Sequence, residues 1–164
     1  MSVAQSQILI IDDEENLRHM LSAMLARQGY EADTAANGAE GLQRLREKVY
    51  DFILCDIRMP EMDGKGFLTR ALEEKVPSPV IMMSAYGSVD TAVECMKMGA
   101  YDFISKPFKK DEIVMVLKKA EERERLKSEN SQLRAVVSGG DGFCGIISRT
   151  ASMQEIFSQV RKVT

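Results

Sequence analysis

Short apolar runs alternate with stretches of helical periodicity along most of the chain. Residues 8–11 (ILII) read as a strand buried on both faces, and residues 14–28 follow with a helical pattern that Gly29 can stop. Residues 30–35 (YEADTA) have strand character. Asn37 is placed to cap a helix through about Lys48, with Leu42 and Leu45 on its inner side. Residues 51–55 (DFILC) predict a third strand, residues 64–74 a short helix and residues 79–83 (PVIMM) a fourth strand. Ser88 is the expected N-cap of a helix over 88–98 that Gly99 ends, before a fifth strand at 101–105 and a helix beginning near Lys109. Five rounds of strand then helix, with short connections, predict an α/β fold: a parallel sheet with helices on both faces. Right-handed crossovers leave few topologies open to it.

The last helical pattern is long. From residue 111 to 137 no Gly or Pro interrupts it, and about 27 residues would span roughly 40 Å. Its first part can pack on the sheet through Ile113, Val116, Leu117 and Ala120. Its later part is charged, with a thin apolar seam at Leu126, Asn130, Leu133 and Val137. That spacing suits a coiled-coil dimer with Asn130 at an inner position, where a buried amide can set the register. A solvated linker helix is the other reading of the same seam. Residues 138–142 (SGGDG) then break the helix. Residues 143–164 resume an amphipathic pattern at Met153, Ile156, Phe157 and Val160, which reads as the opening of another domain.

Composition narrows the function. The net charge of −3 over 164 residues argues against a generally basic nucleic-acid surface. No apolar run approaches the length of a membrane span, and the first residues lack the pattern of a secretory signal. The three cysteines, Cys55, Cys95 and Cys144, form no CxxC pair and fit reduced thiols in the cytoplasm. The one histidine, His19, reads as a helix-surface residue rather than a zinc ligand.

In open parallel sheets, ligands gather beyond the carboxyl ends of the strands. There the first strand ends in Asp12 and Asp13, the third in Asp56, the fourth in Ser84, and the fifth is followed by Lys106. Three clustered carboxylates repel one another unless a cation intervenes, and oxygen ligands of this kind suit Mg²⁺. An ammonium and a hydroxyl facing such a metal can hold phosphoryl oxygens. Each group has a plainer reading, the aspartates as helix-terminal charges, Lys106 as a surface lysine and Ser84 as a turn residue. Their joint placement at the ends of four strands favours a common site.

This set, carried by "IDDEENLR", "LCDIRMPEMDG" and "MMSAYGSVDTAVECMKMGAYDFISKPF", resembles the receiver domain of two-component response regulators over residues 7 to about 122. The resemblance implies a flavodoxin-like (CheY-like) doubly wound five-stranded sheet of strand order 2-1-3-4-5, followed by the long C-terminal linker helix. It implies that Asp56 is the phosphoacceptor, receiving a phosphoryl group from a sensor histidine kinase. Asp13, Asp56 and the backbone carbonyl of Arg58 would bind Mg²⁺, with Asp12 acting mainly through water. Lys106 would pair with the phosphoryl group, Ser84 would hydrogen-bond it in the active state, and Lys106–Pro107 would be cis. Phe103, three residues before Lys106, would be the aromatic switch on the fifth strand, with Tyr101 expected one pleat back on the same side of the sheet. Arg58 and Tyr86, each two positions past a site residue, should line the approach.

Residues 143–164 resemble the first segment of the AAA+ ATPase domain in NtrC-like activators of sigma-54 RNA polymerase. Ser148 stands where Gly is usual there, and Thr150 where Ser is usual. The expected organisation is a receiver at 1–122, a helical linker at 123–138 and the start of an AAA+ domain at 139–164. No GxxxxGK[ST] occurs in this chain, so ATP and DNA binding would belong to a longer protein. A stand-alone phosphotransfer adaptor is the competing reading. An aspartyl-phosphate phosphatase would need a second carboxylate where Arg58 stands, and a flavodoxin would need a Ser/Thr/Gly-rich loop where "DDEEN" stands.

Overall fold

The apolar runs become the strands of one parallel sheet. The computed structural model describes residues 4–138. The elements are β1 (Gln7–Ile11), α1 (Glu15–Ala26), β2 (Glu31–Ala35), α2 (Gly38–Glu47), β3 (Phe52–Asp56), α3 (Gly64–Glu73), β4 (Val80–Ser84), α4 (Val89–Met98), β5 (Asp102–Ser105) and α5 (Lys110–Ser138). The sheet order is β2-β1-β3-β4-β5, the order implied by the resemblance.

Side chains alternate across the sheet, so each strand feeds two separate cores. Leu9, Ile11, Ile53, Cys55, Val80 and Met82 face one side, where Leu42 of α2, Phe67, Leu68 and Ala71 of α3 and Cys95 of α4 cover them. Ile8, Ile10, Phe52, Leu54, Ile81, Met83 and Ile104 face the other side, against Leu21 and Leu25 of α1 and Ile113, Leu117 and Ala120 of α5. The central strands are buried on both faces, which is why ILII and FILC are unbroken apolar runs. The edge strand β2 reads EADTA and is fully buried only at Ala35.

The helix boundaries follow local chemistry. Asn37 Oδ1 accepts from the Glu40 N–H at 2.8 Å, Asp63 Oδ1 from the Gly66 N–H at 2.7 Å, and Ser88 Oγ from the Thr91 N–H at 3.2 Å. Gly99 ends α4 with φ 108°. α1 stops at Ala26, two residues before the expected end at 28, because the Tyr30 N–H turns back to the Leu25 carbonyl at 3.1 Å and Gly29 takes φ 87°.

The chain divides into two compact units between Ala120 and Glu121. In the first, Ile113, Leu117 and Ala120 of α5 are fully buried. In the second, the described residues 121–138 are helical, and the seam residues Leu126, Leu133 and Val137 are 52%, 66% and 70% exposed. The expected segment with Met153, Ile156, Phe157 and Val160 lies outside the described residues, as does Cys144.

The start of α3 lies directly on the end of β3. The Gly64 N–H donates to the Ile57 carbonyl at 2.8 Å, and a Cβ at Gly64 would sit 2.1 Å from the Asp56 carbonyl oxygen. That neighbour is backbone and cannot swing aside. Gly64→Ala is therefore expected to destabilise the protein by about 3 kcal/mol, measured by urea unfolding. A loss below about 0.5 kcal/mol, the range of an ordinary surface substitution, would contradict the close approach.

Candidate functional site

Parallel strands end together, so the polar residues that follow them share one rim. β1 delivers Asp12 and Asp13, β3 ends on Asp56, β4 ends on Ser84, and Lys106 follows β5. Asp12 is fully buried, and Asp56 and Ser84 are nearly so. One oxygen of Asp12 accepts from the Glu14 N–H at 2.9 Å; the other accepts from Lys106 Nζ at 2.7 Å. The same ammonium lies 3.2 Å from Asp56 Oδ1. The Lys106 N–H donates to the Ser84 carbonyl at 2.8 Å, and the Lys106–Pro107 peptide is cis. The plainer reading of Asp12 as a helix-terminal charge holds only in part: it does accept the Glu14 N–H, but its second oxygen is committed to Lys106.

A carboxylate oxygen from each of Asp12, Asp13 and Asp56 can be chosen so that all three lie within 4.8 Å of one another. Among the described residues, the three carboxylates share one side-chain ion-pair partner between them, the Lys106 ammonium. Burial raises the Asp56 pKa, the Asp12 charge raises it further, and Lys106 pulls it back, the result being about 6. Burial alone would lower the Lys106 pKa, but its hydrogen bond to Asp12 and the charges of Asp12 and Asp56 outweigh that effect and raise it. A hard, small divalent cation suits this donor set.

The rim continues into an open groove of about 520 Å³ beside Asp13, lined by Ile57, Arg58, Met59, Asp63 and Lys65. The Arg58 guanidinium stacks over the Tyr86 ring at 4.4 Å. Both residues were expected along the approach; their direct pairing across it was not visible in a linear reading. Another group missed by the sequence reading is Arg18, one turn into α1, whose Nη1 donates to the Asp12 carbonyl at 2.6 Å.

Ser84 Oγ accepts from the Tyr86 N–H at 3.1 Å, so its proton is free for another acceptor. Phe103 is half-buried and packs on the α2–α4 side of the sheet, opposite Met82 in register. A Cβ at Gly87, in the β4–α4 loop, would lie 2.8 Å from the Phe103 ring. Tyr101 does not share that side. It precedes β5, where the alternation of the strand has not begun, and it packs against the opposite core. The expectation of one shared face for Tyr101 and Phe103 is corrected accordingly. Leu126, Asn130, Leu133 and Val137 belong to the second unit. Cys55 and Cys95 are free thiols inside one core. Among the described residues, no helix is long and apolar enough to cross a membrane.

The family described as response regulator receiver domain matches residues 8–118. The chain is similar to regulatory protein AtoC of Escherichia coli, 38% identical over 160 residues covering 98% of this chain and 35% of AtoC. It is similar to the transcriptional regulatory protein ZraR of Klebsiella oxytoca, 44% identical over 126 residues covering 77% of this chain and 28% of ZraR. Among solved structures it is similar to NtrX from Brucella abortus in complex with ATP, with a TM-score of 0.73 and 34% identity over 78% of this chain and 29% of that one. The chain thus spans about a third or less of the length of the relatives it matches.

The Asp56 carboxyl carries a pH signature. Its folded pKa of about 6 exceeds the ordinary 3.8, so between these values the folded state holds a proton that the unfolded state has released. Stability from this group is therefore greatest at low pH, falls as pH rises through the window and is fully lost above about 6. In metal-free buffer at pH 7, Asp56→Asn is expected to stabilise the fold by on the order of 2–3 kcal/mol. The advantage should shrink towards pH 4. Urea unfolding of both proteins at the two pH values measures it, and an equal advantage at both would refute the charge-burial account.

Proposed function

The chain belongs to the response regulator receiver family, and on that premise we propose that Asp56 is its phosphoacceptor and that phosphorylation there controls an attached output domain. The observation that carries the reading is the single ammonium of Lys106 held between Asp12 and Asp56 at the rim of the sheet. A carboxylate oxygen of Asp56 attacks the phosphorus of a phosphohistidine on a sensor histidine kinase. The P–N bond breaks, its electron pair returns to the imidazole nitrogen, and an acyl phosphate forms on Asp56. Asp13, Asp56 and the Arg58 backbone carbonyl would hold Mg²⁺, with Asp12 acting through water; when bound, the ion supplies positive charge against the phosphoryl oxygens. Lys106 offsets the repulsion between two anions and then pairs with the new phosphoryl group. Arg58 and Tyr86 flank the line along which water would hydrolyse the product.

The conformational relay starts at Ser84. Its hydroxyl turns to the phosphoryl oxygens, the β4–α4 loop follows, and Phe103 moves into the volume released. The face altered is α4, β5 and α5, where Val89, Val93 and Met96 are already exposed. The longer protein is proposed as a cytoplasmic sigma-54-dependent activator, with a receiver at 1–122, a linker at 123–138 and an AAA+ domain beginning within 139–164. The kind of relatives matched supports this, as does the Brucella NtrX structure holding ATP. ATP, DNA and sigma-54 RNA polymerase would be partners of that longer protein. The linker helix makes a homodimer through Leu126, Asn130, Leu133 and Val137, assisted by the receiver, because two heptads alone associate weakly.

With Mg²⁺ and a small phosphodonor, mass spectrometry should find the added phosphoryl group on Asp56. Asp56→Asn should abolish labelling, Asp13→Ala should cripple it, and Asp12→Ala should reduce it less completely. Labelling of Asp56→Asn at the wild-type level would refute the assignment.

Sedimentation of the unphosphorylated chain at micromolar concentration should give a dimer. Leu126→Asp with Leu133→Asp should shift it to monomer. An unchanged mass in the double variant would mean that the seam is only a solvated helix face.

A further inference from the structure

The β3–α3 loop, residues 57–63, carries the Arg58 carbonyl and must present it to the rim. Its base is fixed: the Ile57 N–H donates to the Met83 carbonyl at 2.9 Å, and the Ile57 carbonyl accepts from the Gly64 N–H at 2.8 Å. Beyond Ile57 the loop leaves the sheet. Among the described residues, the hydrogen bonds that reach residues 58–62 from elsewhere both come from the start of α2. The Gly38 N–H donates to the Met62 carbonyl at 3.1 Å, and Asn37 Nδ2 donates to Glu61 Oε2 at 3.2 Å. Asn37 thus uses both ends of its amide, since its Oδ1 caps α2 on the Glu40 N–H at 2.8 Å. Glu61 holds φ 64°, a left-handed conformation that a residue with a side chain adopts only under constraint.

Contact geometry at Gly38 is equally restrictive. A Cβ there would lie 2.8 Å from Met62 Cγ and 2.9 Å from the Met62 carbonyl oxygen. The second neighbour is backbone, so any larger residue must push the loop away from α2. Met59 and Met62 pack half-buried against the same core as Leu42 of α2, which leaves the loop little room to yield elsewhere.

We infer that the Asn37–Gly38 start of α2 is a positioning element of the cation site: it grips Glu61 and Met62 and thereby sets where the Arg58 carbonyl stands relative to Asp13 and Asp56. Neither residue is among the proposed ligands. This rests on the assignment of Asp12, Asp13, Asp56 and the Arg58 carbonyl as the Mg²⁺ site. It gives the sequence step Asn37-Gly38 a role that helix capping alone does not explain, because a cap needs the Asn37 oxygen but neither its amide nitrogen nor a missing side chain at the next position.

The test is Mg²⁺ affinity measured by titration calorimetry on the unphosphorylated chain, with urea unfolding alongside. Gly38→Ala should weaken Mg²⁺ binding by about tenfold, as loss of a group supporting metal ligands commonly does. Asn37→Ser keeps a capping oxygen and deletes only the donor to Glu61, so it should weaken binding in the same direction by less while leaving the unfolding midpoint near wild type. Leu25→Val, in the opposite core, serves as a control that lowers stability without touching the loop, and it should bind Mg²⁺ as wild type does. Wild-type affinity in both Asn37→Ser and Gly38→Ala overturns the inference, as does an equal loss in Leu25→Val. Should Gly38→Ala fail to fold, Asn37→Ser decides alone. A wild-type chain that takes up no Mg²⁺ overturns the underlying site assignment instead, and the two failures are told apart by that first titration.

Discussion

One ammonium group holds the site together. Asp12 is fully buried and Asp56 nearly so, at the ends of adjacent strands. Two carboxylates in such surroundings would repel each other and would each lose hydration. Lys106 lies 2.7 Å from one and 3.2 Å from the other, which makes their joint burial tolerable. It does not remove the cost. Asp13 adds a third carboxylate at the surface, and the Asp56 pKa stays raised, first by burial and then by the Asp12 charge, with Lys106 only partly offsetting both. A donor set of this kind, three carboxylates beside one ammonium, is suited to a small divalent cation, the premise of the proposed function.

The sheet makes this crowding possible. In an antiparallel arrangement, neighbouring strands would end at opposite rims. Here every strand of the sheet runs the same way, so residues 12, 56, 84 and 106 arrive at one edge from four separate segments. The apolar runs behind them anchor that edge. Leu54 and Cys55 face opposite cores, each without exposure, and Gly64 lets α3 close on the Asp56 carbonyl. Rigidity behind the rim contrasts with what lies above it. Ala85, Tyr86 and Gly87 are exposed, and the ring of Phe103 lies against the position where Gly87 lacks a side chain. The loop after Ser84 is thus exposed to solvent on one side and in close contact with Phe103 on the other, whereas β3 beside Ser84 is close-packed core.

Much of this was legible along the chain because the signals are local. Alternating strand and helix periods, the capping residues Asn37 and Ser88, the stop at Gly99 and the acids at strand ends each depend on neighbours a few residues away. The five rim residues followed once the strands were taken as parallel. Other features depend on which distant segments meet. The Lys106–Asp12 bond joins residues 94 apart. The Arg58–Tyr86 stack joins two loops, and the contact of Gly38 with Met62 joins a helix start to a loop two elements later.

Tyr101 shows the boundary between the two kinds of information. A period of two is a property of extended chain, and it assigned Tyr101 and Phe103 to one face. The period applies only inside the strand, and β5 begins at Asp102, so Tyr101 turns towards α5 and the opposite core. The seam on α5 shows the same division. Sequence spacing by itself determined that Leu126, Leu133 and Val137 fall on one stripe of a helix, because helical pitch is intrinsic to the backbone. Where Tyr101 packs, which acid Lys106 bridges and what rests against Gly38 were decided only by tertiary structure, since each depends on the placement of atoms from remote segments that no local periodicity encodes.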